Sequence, residues 1–339
     1  MDLFKTSATS ALVNLATEEW LLTRRGATED NKHTLFLWRN TPTVVIGAHQ
    51  NAYKDCYLSA MEKDHVTLAR RRTGGGAVYH DLGNSIFSFL SPAKEKNARE
   101  INNGVLIRAL ERLGFKGVEA SGRNDLNLKG RKISGCAFRT SQDVFLHHGT
   151  MLVNTDLGAL ARYLTPSTKK LQSKGVDSVR SRVTNLRELA PEAKGLDHEG
   201  ICSAIADEFK ETFQGTGQAA AVEELEISRV MRDPEFQKML ADLQSWSWRY
   251  GSNPSFTTTF EHRFDWGSID LRLNVQSGFI SEVAVFSDTL IPATADAMQL
   301  CLTGVVFRRK DIALALTAKA QDPQLQPEAC RQILDISSW

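Results

Sequence analysis

The sequence predicts an α/β fold of the α+β type, with a mixed sheet in a large N-terminal domain and a smaller α+β domain after it. Strand-like and helix-like stretches interleave irregularly in the first part of the chain, which favours a mixed sheet over a repeating parallel unit. A loop-like segment at 251–255, GSNPS, follows a cluster of aromatic residues and precedes a series of strand-like runs. We therefore predict two domains, at residues 1–248 and 256–339.

The N-terminal domain is predicted to begin with an amphipathic helix followed by two short strands. Residues 12–22 carry apolar side chains at helical spacing, and Gly26 supplies a stop signal. Apolar runs at 35–38 and 44–46 have the composition of strands, and residues 39–42, RNTP, have that of a turn. The two runs are therefore predicted to be adjacent strands.

The remaining elements follow from the same periodicities. Predicted in the large domain are a strand at 85–90 and helices at 105–113, 198–213 and 236–243. Predicted in the small domain are strands at 257–264, 269–275 and 279–286, a hairpin turn at 276–278, and two or three helices between 293 and 339.

Composition excludes several classes of protein. Forty-one basic residues against forty acidic ones give a formal net charge of +1, which argues against a nucleic-acid partner. The five cysteines are scattered without the close pairing of a zinc site, which is typical of reduced thiols. No stretch has the length and apolarity of a signal region or a membrane span. These features predict a cytoplasmic protein that does not associate with membranes.

The strongest chemical signal is RRRTGGGAVYHDLGN at residues 70–84. Gly74, Gly75 and Gly76 allow a close approach of the backbone to a ligand, and free amides in such a loop can cradle an anion. The arginines at 70–72 add donors suited to a phosphate or a carboxylate. The spacing matches neither the phosphate-loop nor the dinucleotide-binding pattern. The alternative is a glycine-rich turn beside a solvated basic surface.

A second segment, GRNDLNLKGRKISGCAFR at 122–139, contains an unusually placed lysine. Asn124 and Asp125 precede a short strand-like stretch, and Lys132 follows a Gly-Arg turn and enters an apolar run. A lysine there can reach a phosphate and stabilise the charge that develops as pyrophosphate leaves. The alternative is an exposed lysine with a structural role.

Two further segments are polar and less specific. In FLHHGTMLVN, at 145–154, His147 and His148 would point to opposite faces of a strand, so they cannot share a metal. One of them is a candidate for orienting substrate, and the other for packing. The basic run at 169–186 is either a solvated loop or a segment that closes over a ligand.

These four segments, in this order, resemble the lipoate-protein ligase A family, within the biotin and lipoate protein ligases. The likeness extends to VNLATEEW at 13–20, LFLWRN at 35–40, TVVIGAHQN at 43–51, KGVDSVRSRVTNL ending at Leu186, and FDWGSIDL at 264–271. It covers essentially the whole chain and is similar to the two-domain bacterial type. The resemblance implies a mixed-sheet catalytic domain related to biotin ligases, with a small C-terminal accessory domain.

The resemblance also implies an activity. Enzymes of this family convert lipoate and ATP to lipoyl-adenylate and pyrophosphate. They then transfer the lipoyl group to a lysine of a lipoyl-domain protein, either an E2 subunit of a 2-oxoacid dehydrogenase or the glycine-cleavage H protein. Mg²⁺ is the expected companion of the ATP phosphates, near Asp125, and no protein cluster is expected to hold a metal.

By resemblance, Lys132 is the catalytic residue that contacts both the phosphate and the acyl carbonyl oxygen. The implied ATP and adenylate site comprises Arg71, Gly75, Gly76, Ala77, Val78, Tyr79, Asn124, Asp125 and Lys132. The implied lipoate site comprises Leu15, Trp38, Val45, Arg71, Thr73, His80, Lys132, Arg139 and His148.

The sequence departs from the family pattern at Cys136, where a serine is expected. A thiol close to Lys132 invites an acyl-thioester mechanism, but a small buried thiol in place of a hydroxyl is the simpler interpretation. Two other functions remain open: an acyltransferase that makes no adenylate, and a catalytically silent protein that binds an acyl or nucleotide ligand.

Overall fold

The chain forms two compact units, Met1–Ser245 and Trp246–Trp339, in a computed structural model. The structure describes residues 1–26, 32–122, 124–165, 183–193, 195–213, 221–251, 256–287 and 291–338. Most of the basic run at 169–186 and most of the loop at 251–255 lie outside these ranges.

The first unit contains most of the predicted elements, together with several short ones. Its strands are β1 (Asp2–Lys5), β2 (Thr34–Trp38), β3 (Thr43–Ile46), β4 (Thr67–Arg70), β5 (Val78–His80), β6 (Asn84–Pro92), β7 (Val118–Ser121), β8 (Asp125–Leu128), β9 (Arg131–Ser141), β10 (Val144–Leu152) and β11 (Glu223–Glu224). Its helices are α1 (Ala11–Gly26), α2 (Ala52–Asp55), α3 (Leu58–Lys63), α4 (Ala98–Arg112), α5 (Gly158–Tyr163), α6 (Leu186–Leu189), α7 (His198–Phe213), α8 (Ile227–Val230) and α9 (Pro234–Gln244).

Eight strands form one mixed sheet in the order β11-β1-β2-β6-β10-β9-β8-β7. The β11-β1 and β1-β2 pairs are parallel, and the pairs from β2 to β7 are antiparallel. The predicted mixed sheet is therefore confirmed.

One face of this sheet carries the apolar core. Phe87 and Phe89 on β6 are fully buried with Leu106 on α4 and Phe209 on α7. Burial of each such side chain contributes about 1.5–3 kcal/mol. The two helices are also joined by Glu208, whose carboxylate accepts hydrogen bonds from two arginines of α4.

A second, three-stranded sheet has the order β4-β3-β5. Strands β2 and β3 were predicted to be adjacent, and this prediction is wrong, because they belong to different sheets. The segment at 39–42 crosses between the sheets instead of closing a hairpin. Buried polar contacts hold it there: the Asn40 side chain bonds to Asn14 and His80.

The second unit is a three-stranded antiparallel sheet, β12 (Phe256–Phe264), β13 (Gly267–Gln276) and β14 (Phe279–Ser287), with three described α-helices. A short π-helix, Ser247–Gly251, precedes the sheet. Ser277 and Gly278 both have positive φ, 49° and 78°, as the predicted hairpin turn requires. The helices are α10 (Pro292–Leu302), α11 (Arg309–Lys319) and α12 (Pro327–Ser338). In the described part of the chain, no helix combines the length and apolarity needed to cross a membrane.

Candidate functional site

The strand register places a row of polar side chains on the other face of the large sheet. Trp38 pairs with Ile86, two residues from Ser88, which pairs with His148. Residues that pair directly across two strands lie on the same face of the sheet, and so do alternate residues of one strand. Trp38, Ser88 and His148 therefore share the face opposite to that of Phe87. His147 points to the apolar side, where its ring is 4.7 Å from that of Phe138. The predicted separation of the two histidines is therefore confirmed.

A β-bulge brings Lys132 onto this same face. Asn127 pairs with Lys132 and the preceding Leu126 pairs with Ser134, so Ile133 is an extra residue in β9. In a regular strand, residues three apart lie on opposite faces; the bulge places Lys132 on the same face as Gly135. The hairpin turn before it is formed by Lys129 and Gly130, with φ of 52° and 74°, one residue earlier than predicted.

Lys132 is paired but accessible. Its Nζ lies 2.7 Å from Asp125 Oδ1, and the two side chains are 32% and 35% exposed. A Cβ on Gly135 would be 2.7 Å from that Nζ, so the lysine side chain crosses the strand where this glycine leaves room. Asn124 is fixed beside them by two bonds to Cys136: its Nδ2 donates to the carbonyl at 2.9 Å, and its carbonyl accepts from the amide at 2.8 Å.

The glycine-rich loop is held by the arginines that precede it. Arg71 Nη2 donates to the carbonyls of Gly74 and Gly76, at 2.6 and 2.9 Å, and its Nη1 donates to the Val45 carbonyl. Arg70 is fully buried and donates to backbone carbonyls of the loop after β3. Both guanidinium groups therefore order loops, in addition to any contact with a ligand.

The amides of this loop point to an anion site. Among the described residues, no hydrogen bond is donated by the main-chain N–H groups of Gly74, Gly75, Gly76 or Ala77. Gly75 has φ of 94°, which favours glycine. Position 47 also requires glycine, because a Cβ there would collide with the Gly75 carbonyl.

A buried polar relay joins the loop to α1. Arg71 Nε donates to Thr73 Oγ1 at 3.0 Å, and Thr73 Oγ1 is 2.8 Å from His148 Nε2. His148 Nδ1 is 2.8 Å from the Glu18 carboxylate, which also accepts from Ser88 Oγ at 2.5 Å. Burial raises the pKa of Glu18, but the contact with His148 outweighs that effect and holds it below its usual value. The loop is thus anchored to a buried carboxylate.

The other predicted residues of the two sites lie on α1, β2, β3 and β5. Leu15 on α1 and Val45 on β3 are buried, and Trp38 donates from Nε1 to Ser88 Oγ at 3.0 Å. Val78 and Tyr79 lie on β5 and pair with β3.

Arg139 lies apart from Lys132 along β9. It is four residues beyond Gly135 on β9, about 13 Å along the strand. Its guanidinium donates to Glu19 at 2.6 Å, in a cleft of about 180 Å³ that Arg72 and Met239 also line. Burial, opposed by Arg139, raises the pKa of Glu19.

Cys136 fits the interpretation as a small buried thiol. It is 8% exposed, and burial raises its pKa to about 12. The thiolate needed for an acyl-thioester is therefore scarce at neutral pH. Among the described residues, no group of three histidine, cysteine or acidic side chains is arranged to hold a metal ion.

Sequence reasoning missed Glu18, Ser88, Asn14 and Asn40. A signal for two of them was present: Asn14 and Glu18 are four residues apart, on the stripe of α1 that also carries its apolar residues. Polar residues on a buried helical stripe require buried partners, so their presence indicates a polar site.

The fold and the site define an enzyme that handles an anionic ligand between a glycine-rich loop and a lysine. The model of the lipoyl protein ligase A/B catalytic domain matches residues 10–210, and the model of the bacterial lipoate protein ligase C-terminus matches residues 253–334.

Individual proteins are similar over most or all of the chain. Lipoate-protein ligase A of Psychrobacter cryohalolentis is 42% identical over 344 residues, which cover 100% of this chain and 97% of the relative. The crystal structure of P. falciparum LipL1 in complex with lipoate is 30% identical and covers 100% of both chains, with a TM-score of 0.66. A bi-partite lipoate protein ligase from Thermoplasma acidophilum, described with its E2 lipoyl domain, is 26% identical with a TM-score of 0.60, over 74% of this chain and 95% of that one. The chain belongs to the lipoate-protein ligase family, and its enzyme class is that of a lipoate-protein ligase.

Proposed function

We propose that this enzyme activates lipoate with ATP, releases pyrophosphate, and transfers the lipoyl group from lipoyl-adenylate to a lysine of an acceptor protein. The observation that carries the proposal is the position of Lys132, on the sheet face where the glycine-rich loop is anchored. Thr73 contacts His148 on β10, and Thr150, two residues further, pairs with Gly135 beneath Lys132. The loop anchor and the lysine are therefore about two residue spacings, roughly 7 Å, apart along the strand.

In the activation step, a carboxylate oxygen of lipoate attacks the α-phosphorus of ATP, and pyrophosphate leaves. The main-chain N–H groups from Gly74 to Ala77 have no acceptor among the described residues, so they can donate to phosphate oxygens, and Val78 and Tyr79 continue the same wall. Lys132 supplies a positive charge where the negative charge develops. Arg71 orders the loop and adds a cation beside the acyl carboxylate.

In the transfer step, the acceptor lysine first loses a proton from its ammonium group, and the neutral amine attacks the acyl carbonyl carbon. The bond from this carbon to the phosphate oxygen breaks, AMP leaves, and the remaining excess proton on nitrogen is released to solvent. Lys132 polarises the carbonyl oxygen that becomes negative in the transition state. Asp125 lies next to it and is suited to pair with the incoming lysine ammonium. The raised pKa of Cys136 supports direct attack by the acceptor.

Mg²⁺ enters this scheme with ATP. It prefers phosphate oxygens, one or two carboxylates and water, and Asp125 is the carboxylate of the site that suits such a contact. When bound, the ion would neutralise phosphate charge.

We propose that the acceptors are lipoyl-domain proteins, namely E2 subunits of 2-oxoacid dehydrogenases and the glycine-cleavage H protein. Support comes from the T. acidophilum structure, which concerns a ligase and its E2 lipoyl domain. The bound lipoate of the P. falciparum relative supports lipoate as the acyl substrate. A cytoplasmic location fits an enzyme that consumes ATP.

The test is pyrophosphate release by the purified protein with ATP, Mg²⁺ and (R)-lipoate, with biotin and no acid as controls. Release that depends on lipoate is expected. If no pyrophosphate forms while supplied lipoyl-adenylate is transferred to a lipoyl domain, the activation step is wrong and the protein is a transferase.

A further inference from the structure

Asn14 and Asn40 form a buried hydrogen-bond relay that ends on His80. Asn14 Nδ2 lies 2.9 Å from the Ala8 carbonyl and 3.1 Å from the Arg39 carbonyl, and carbonyls only accept, so this atom is the amide nitrogen. Its contact with Asn40, at 3.0 Å, shares one of its two hydrogens, and because an amide nitrogen does not accept, the Asn40 atom there is the acceptor Oδ1. The Asn40 atom that faces His80 Nδ1, at 2.9 Å, is therefore the donor Nδ2. The relay thus fixes Nδ1 of His80 as an acceptor.

The protonation state of His80 follows from this relay. Its ring is 4% exposed, and burial, with the nearby charges of Arg71 and His148, lowers its pKa to about 3. The imidazole is therefore neutral, and with Nδ1 accepting, its proton is on Nε2. Nε2 has no hydrogen-bond partner among the described residues. An unpaired buried N–H costs about 1–3 kcal/mol, so such a group is a candidate for ligand binding.

His80 lies at the end of the site remote from Lys132. Its ring stands edge-on to Trp38, with centroids 6.4 Å apart. Trp38 is on β2 and Lys132 on β9, with β6 and β10 between them. Three strand spacings amount to about 14 Å. The lysine side chain covers part of that span, and the remainder suits a medium-length acyl chain.

We propose that the Nε2–H of His80 is a specificity-determining donor for the distal end of the acyl substrate, with Asn14 and Asn40 as positioning residues that fix its tautomer. This inference rests on the proposed function, because the reacting carboxylate must lie near Lys132. The distal group that fits is one with an acceptor atom, such as a sulfur of the lipoate dithiolane ring. The methyl end of octanoate offers no acceptor and leaves the N–H unpaired, so octanoate is disfavoured.

The tautomer is tested by NMR on protein labelled with ¹⁵N-histidine. The His80 signals are identified as those that are missing from the spectrum of the His80→Asn variant. The ¹⁵N shifts are expected to show an unprotonated Nδ1 and a protonated Nε2. Addition of (R)-lipoate without ATP should shift the Nε2–H signal, and octanoate should shift it much less. A protonated Nδ1, or equal shifts with the two acids, would overturn the proposal.

Kinetics provide the second test, through the ratio of kcat/KM for lipoate to that for octanoate. His80→Gln can keep a donor near the Nε2 position, so the ratio is expected to remain close to that of the native enzyme. His80→Asn keeps an acceptor for Asn40 but lacks the distal donor, and the ratio should fall about tenfold. An unchanged ratio in His80→Asn would contradict the role of the N–H group.

A matched control is His198→Asn. His198 is also buried, and its Nδ1 is 2.9 Å from Ser85 Oγ, but Ser85 lies on the opposite face of the sheet. This change should leave the ratio unaltered. The NMR titration needs no turnover, so lipoate that shifts the His80 signal without pyrophosphate release would contradict the proposed activation step and leave this inference intact.

Discussion

The two halves of the site differ in how completely the protein satisfies its own polar groups. In the half built around α1, each member of the relay from Arg71 through Thr73 and His148 to Glu18 has a protein partner, and the Glu18 side chain is 2% exposed. In the half built around β8 and β9, Lys132 has Asp125 and a third of its surface in solvent. The relay supports the loop, and Lys132 remains accessible to reactants.

This difference predicts which substitutions lower stability and which lower activity. Changes in the buried relay should unfold the protein because they leave charges or donors without partners. Changes at the open half should remove activity and leave the fold intact.

The largest effect is expected from Glu18→Ala. Removing one member of a buried pair costs about 3–5 kcal/mol, since His148 and Ser88 lose their acceptor. Urea unfolding followed by circular dichroism measures the loss. Glu19→Ala is the control and should cost less, because Arg139 and Arg72, which contact Glu19, reach solvent. Equal losses for the two variants would argue against the relay as the support of the loop.

Lys132→Ala is expected to lower kcat by about 10²–10³-fold, because the charge that stabilises both transition states is lost. Pyrophosphate release and lipoyl transfer are measured separately, and the melting temperature should stay near that of the native protein. Full activity in this variant would contradict the catalytic role of Lys132.

Acid should destabilise the fold through histidines that are buried in their neutral form. Burial lowers the pKa of His80 and of His147 to about 3, against 6.5 in the unfolded chain. The unfolded state therefore binds more protons between these values, and stability falls as the pH drops from about 6.5 toward 3. The expected slope is about 1.4 kcal/mol per pH unit for each histidine. Unfolding free energies measured at pH 7, 6 and 5 test it, and His147→Phe should reduce the slope.

Cys136→Ser should have the smallest effect. Direct attack by the acceptor does not use the thiol, so kcat should change by less than about threefold, within the usual tolerance for a change that removes no catalytic group. Iodoacetamide should likewise leave this residue unmodified in the folded enzyme. A loss comparable to that of Lys132→Ala would favour an acyl-thioester.

Much of the fold was predictable because it depends on local periodicity. The long helices α1 and α7 and the hairpin at Ser277 and Gly278 follow from apolar spacing and turn residues. The separation of β2 and β3 into different sheets was not predictable, because residues 39–42 have the composition of a turn but are held by contacts with residues distant in sequence. Such contacts become visible only when the sheets are assembled.

The site was predictable where its chemistry is concentrated in one segment, as in the glycine-rich loop and Lys132. Most of the other site residues were predicted from the resemblance to a family. The relay from Arg71 to Glu18 was missed because its members come from α1, β6, β10 and the loop after β4. A buried glutamate looks like a surface residue in sequence until its helical stripe is compared with its neighbours.

The bulge at Ile133 has a consequence for how β9 can vary. It changes the parity of the strand, so that even-numbered residues before it share a face with odd-numbered residues after it. Deleting Ile133 would place Lys132 and Gly135 on opposite faces of the sheet, so that one of the two would face the apolar core. The segment therefore does not tolerate a change in length, and any graft of this lysine onto another sheet must carry the extra residue with it.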